Sequence, residues 1–142
     1  MRTAAAVLAV ALFTACAPKE EAPPPPPAGP TLADFAGTWN VASVLEGTPD
    51  TVRSTMTGTA DGTWTMSLEG RPNIAVTASV SGDSLVGQSA EYESVLRPGV
   101  MVSVRTASVL SNGMLVGNLV ATYKTPTGDQ VVRGTMTASK GM

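Results

Sequence analysis

The sequence predicts an all-β domain, an eight-stranded antiparallel up-and-down barrel, with a two-sheet β-sandwich of the same strands as the alternative. Three observations lead there. Turn chemistry recurs at regular intervals, at Gly47-Thr48-Pro49-Asp50, Asp61-Gly62, Gly70-Arg71-Pro72-Asn73, Gly82-Asp83, Pro98-Gly99, Asn112-Gly113 and Pro126-Thr127-Gly128-Asp129, and divides the chain into extended segments. Those segments alternate apolar and polar residues with period two. No window carries a sustained helical stripe, and no βαβ spacing is present, so neighbouring strands join by short connections into an antiparallel meander.

Residues 1–15 read as an export signal. Arg2 is the positive n-region, and residues 4–13 are an apolar run too short to span a bilayer. The string Leu12-Phe13-Thr14-Ala15-Cys16 resembles the bacterial lipobox, with Phe13 where leucine is more usual. That resemblance implies that Cys16 becomes a diacylated N-terminus, and more than one acyl chain gives stable anchoring. Ala17 after the cysteine resembles the sorting pattern of outer-membrane lipoproteins in double-membrane bacteria. The expected location is therefore the outer membrane, facing the periplasm. Cys16 is the only cysteine, so the exported domain has no disulfide within the chain and must be stabilised by packing.

Residues 16–30 form the lipidated cysteine and its tether, which includes five consecutive prolines at 23–27. Proline fixes φ and disfavours helix in its predecessor, so the segment favours polyproline II and acts as a semi-rigid spacer. The domain occupies 31–142. Thr31 and Asp34 have capping-box spacing for one helical turn, which Gly37 ends.

Strands follow in order. Residues 63–69 alternate strictly, with Trp64, Met66 and Leu68 on the inner face. Residues 74–80 repeat the pattern with Ile74, Val76, Ala78 and Val80, and residues 100–106 with Val100, Val102 and Val104. Residues 114–123 and 130–138 are rich in valine, threonine, leucine and methionine, which suit a pleated, half-buried surface. Closure into a barrel removes exposed edges. The outer faces read as threonine, serine and charge, which argues against a membrane-spanning barrel.

The stretch Phe35-Ala36-Gly37-Thr38-Trp39-Asn40-Val41 resembles the Gly-x-Trp opening of the calycin superfamily, which covers lipocalins, fatty-acid-binding proteins and avidins. The resemblance implies that Trp39 closes one barrel end and that a basic residue near the last strand packs over its indole. Arg133 stands where that residue is expected. An avidin-type cage needs more tryptophans than the two present.

Composition excludes several chemistries. There is no histidine, so a Ser-His-Asp triad and a His-ligated zinc site are ruled out. A net charge of −2 gives no sign of electrostatic binding to DNA, RNA or anionic lipid, and few aromatics further disfavour nucleic-acid binding. No phosphate-cradling glycine loop and no EF-hand spacing occur. We therefore expect a non-catalytic protein with no cofactor and no bound metal.

Two function classes remain. One is a membrane-tethered binding module for a small apolar or amphipathic ligand, lined by Trp64, Met66 and Leu68, with Tyr92 and Arg97 of the 92–99 stretch gripping a polar head. The other is a structural or adapter envelope lipoprotein with a filled barrel and an unidentified protein partner. Interior volume separates them: an apolar cavity of at least roughly 300 Å³ favours the binder, and a filled core favours the adapter.

Overall fold

Alternation and turn chemistry together close one sheet on itself. The computed structural model describes Pro24 and residues 29–141. The leader, Cys16 and the rest of the segment before Gly29 lie outside the described residues. A single helical turn, α1 (Leu32–Phe35), precedes nine strands: β1 (Gly37–Leu45), β2 (Thr51–Gly58), β3 (Thr63–Ser67), β4 (Ile74–Ser81), β5 (Ser84–Ser89), β6 (Tyr92–Glu93), β7 (Met101–Ser111), β8 (Met114–Thr125) and β9 (Gly128–Lys140). Every pairing is antiparallel. The sheet closes through β9 on β1 and β5 on β7, giving an eight-stranded barrel with β6 as an extra short strand on β7. The strands form one closed layer, not the two packed sheets of the sandwich alternative.

The tight turns follow their residues. Asn112 and Gly113 both have positive φ, 52° and 77°, as a type I′ turn between β7 and β8 requires. In α1, the Asp34 carboxylate accepts hydrogen bonds from the Thr31 backbone N–H at 2.7 Å and its hydroxyl at 3.2 Å. β7 runs on to Ser111, past the expected 106, although inward-facing Ser108 interrupts its apolar pattern. It does so because β8 pairs with it along its whole length.

β6 has a specific cause. The β5–β7 register runs from Ser84↔Val109 to Gln88↔Arg105. At Ser89 the chain bends away, and the Ser89 hydroxyl accepts the Val104 N–H at 2.9 Å in place of a backbone carbonyl. Pairing to β7 resumes at Tyr92↔Val102. This local break in the ladder frees residues 94–100 to cross the barrel end.

The two barrel ends are unlike. One end carries α1 and the β2–β3, β4–β5 and β7–β8 turns, with Phe35, Trp39, Trp64, Leu115, Met136 and Ala138 among the buried residues of the core. The other carries the β1–β2 and β3–β4 loops, the 94–100 loop and the β8–β9 turn. The outer walls also differ. On β2–β4 the outward positions are mostly threonine and serine, as the sequence suggests: Thr55, Thr57, Thr63, Thr65, Thr77 and Ser79. On β7–β9 the expectation of a threonine, serine and charge surface is incomplete. Outward positions there include Met101, Met114, Val116, Val120 and Val131, together with Arg105 and Arg133.

Candidate functional site

The closed end is built around Trp39. Its position on β1 turns the indole inward, where it is buried and donates from Nε1 to the Phe35 carbonyl at 2.7 Å. The cation over the ring is Lys140, with Nζ 4.7 Å from the ring centroid. Lys140 also donates to the Ala36 carbonyl at 2.6 Å, tying the last strand to α1. Arg133 does not take this place. Gly134, Met136 and Ala138 are buried on the inner face of β9, so parity turns Arg133 out to solvent. Lys140 shares the parity of Met136, so alternation alone is the signal that finds it. At the strand end its long side chain can wrap over the barrel mouth's opposite pole, which Arg133, in mid-strand, cannot reach.

The other end holds the candidate site. An apolar cavity of about 70 Å³ lies beneath the 94–100 loop, walled by Val41, Leu45, Met56, Met66, Leu68 and Met136 and roofed by Tyr92, Ser94 and Leu96. Met66, Leu68 and Tyr92 therefore share one chamber. Trp64 does not line it. Its ring packs on Gly58, where a Cβ would fall 2.0 Å from ring atom Cε2, and its buried Nε1 finds no hydrogen-bond partner among the described residues. Period-two parity gives Trp64 and Met66 of β3, and Leu68 just beyond its end, the same face, but height along the barrel axis separates Trp64 from the chamber.

The roof is a pinned loop. The buried Ser94 hydroxyl accepts the Leu96 and Arg97 N–H groups, each at 3.1 Å. The Ser94 N–H donates to the Val100 carbonyl at 2.9 Å, and the Gly99 N–H donates to the Glu93 carboxylate at 2.9 Å. Two arginines hold it from opposite sides. Arg97 stacks on Tyr123 of β8, 4.1 Å from the ring centroid, and donates to Gln130 of β9 at 2.7 Å. Arg71 of the β3–β4 loop donates to the Glu93 carbonyl. Arg97 thus spends its guanidinium on the barrel wall, not on the cavity. Tyr123, Gln130 and Arg71 were invisible as partners in the sequence because each comes from a different strand or loop.

The electrostatics of the chamber are those of an apolar lining. Burial, with Tyr123 nearby, pushes the Tyr92 phenol up to about 12, against a smaller opposing pull from Arg71. A phenol held neutral in this way is a hydrogen-bonding wall rather than a base. The Glu93 carboxylate accepts the Gly99 N–H, and Glu91 lies 3.9 Å from Lys124. Among the described residues no group of three histidine, cysteine or acidic side chains could hold a metal ion.

No protein-family model matches the chain, and no curated protein matches it.

Proposed function

We propose that this protein is a non-catalytic envelope lipoprotein whose filled barrel serves as a rigid adapter, held to a membrane through Cys16. The single observation carrying this reading is the interior volume. The apolar chamber measures about 70 Å³, well short of the roughly 300 Å³ at which small-molecule pockets begin. A chain that fills its barrel with Trp39, Trp64, Phe35 and Met136 acts through its outside. The calycin kinship belongs to the same proposal: it is supported by the closed eight-stranded barrel and by the Lys140–Trp39 seal. The proposed location is the outer membrane, facing the periplasm, on the lipobox-like string and Ala17.

A second reading is favoured by the character of the chamber. Its walls are methionine, leucine and valine, which adapt to varied apolar shapes. In this reading the 94–100 loop lifts and a small apolar or amphipathic ligand enters, with Tyr92 and Arg97 at its polar end. Native mass spectrometry of protein extracted from cell envelope separates the two. The adapter reading expects the polypeptide plus the acyl groups on Cys16 and nothing more, and no binding when the protein is titrated with fatty acids. A stoichiometric lipid adduct lost in Arg97→Ala would establish the ligand reading instead. Cys16→Ala should abolish metabolic labelling by a fatty-acid analogue; undiminished label would end the lipoprotein assignment.

A further inference from the structure

We infer that the outer wall formed by β7, β8 and β9 is a docking face for an anionic lipid surface. The inference rests on the adapter reading above, in which the barrel acts through its exterior.

Charge is distributed unevenly over the described residues. Arg53, Arg105 and Arg133 face outward in mid-strand, on β2, β7 and β9. The nine carboxylates all sit in α1, in connecting loops and turns, in the short β6, or, for Asp129, at the start of β9. Arg105 and Arg133 flank Val120 in one register row, Arg105↔Val120↔Arg133. Glu46 occupies the next place in that row, its N–H donating to the Arg133 carbonyl at 2.8 Å. The two ion pairs among the described residues both belong to Lys124, with Asp129 and Glu91. Neither Arg105 nor Arg133 is therefore within ion-pair distance of a carboxylate among the described residues, Glu46 included.

The same wall carries the apolar half of an interfacial surface. Val131 is 57% exposed, and Met101, Met114, Val116 and the adjoining Val44 of β1 are 40–43% exposed. The wall across the barrel, on β2–β4, has threonine and serine in the equivalent places. A bilayer interface takes both features: short apolar side chains enter among the headgroups, while guanidinium groups bind phosphate through paired N–H donors. A protein partner fits the wall less well, because its arginines stand without the aromatic anchors that share the hot spots of protein interfaces. The wall has none: Phe35, Trp39, Trp64 and Tyr123 are buried, and Tyr92 faces the chamber. Chain length permits the contact. Twelve residues lie between Cys16 and Gly29, and a chain of that length can reach at most on the order of 40 Å. Gly29 itself lies against the Gly82 carbonyl at the closed end.

The test uses residues 17–142 without acylation, which keep the barrel and its core as described over 29–141. Co-sedimentation is measured with phosphatidylcholine vesicles and with vesicles containing about one-third phosphatidylglycerol, at low ionic strength. We expect binding to the anionic vesicles only, weakening as salt is added. Arg105→Gln and Arg133→Gln should each weaken it about fivefold, Val131→Asp should weaken it further, and Thr77→Asp on the opposite wall should leave it unchanged. Absence of binding, equal binding to neutral vesicles, or an unaffected Arg105→Gln/Arg133→Gln double variant would overturn the inference. Any of these would leave the adapter reading intact, because that reading is decided by the ligand content of the barrel.

Discussion

Lys140 stands over Trp39, its ammonium 4.7 Å from the ring centroid and bonded to the Ala36 carbonyl. One side chain thus joins the last strand, the first strand and α1. Lys140→Met removes a cation–π contact and a charge-assisted hydrogen bond, and should cost about 1–2 kcal/mol. Arg133→Met, on the outer face, should stay within about 0.5 kcal/mol. Chemical denaturation of both variants checks the contrast; equal losses would place the seal elsewhere.

Gly58 is where Trp64 rests. A methyl group at this position would penetrate the indole, which is itself buried. Gly58→Ala should therefore destabilise the barrel by about 3 kcal/mol, at the upper end of ordinary overpacking. Thermal unfolding measures it, and a near-neutral result would mean that the ring swings freely into another site.

Tyr92 links stability to alkaline pH. Its phenol is raised to about 12 in the folded state from an unfolded value of 10. The neutral form is thus favoured by folding. That contribution is whole below pH 10 and is lost as pH rises from 10 through 12, by about 3 kcal/mol in all. Tyr92→Phe should flatten the stability profile across that window. The comparison is of denaturant midpoints between pH 9 and 12; parallel profiles for the two proteins would refute it.

Arg97 pins the chamber roof through Tyr123 and Gln130. Arg97→Ala should raise amide exchange across residues 94–100 by about tenfold, the equivalent of roughly 1.4 kcal/mol of local stability, while β7–β9 exchange as before. Unchanged exchange in the loop would show that Ser94 and Glu93 hold it alone.

Much of the architecture is legible along the chain, because period-two alternation and turn residues are local properties. Asn112-Gly113 dictates its own turn, and the parity of Met66 and Leu68 dictates their face. Tyr92 could be singled out because its stretch departs from the strand rhythm. What parity cannot supply is height along the barrel axis or distance around it. Trp64 shares a face with Met66 yet lies outside the chamber, and Arg97 meets Tyr123 and Gln130, residues far away in sequence. The seal shows both sides of this. Alternation from Met136 reaches Lys140, so the inward parity of the basic residue is a sequence property. Its meeting with Trp39 depends on the β1–β9 closure, which sets Trp39 opposite Lys140. The chamber's volume is likewise a tertiary quantity: it depends on how far the 94–100 loop descends, and two arginines from separate elements fix that depth.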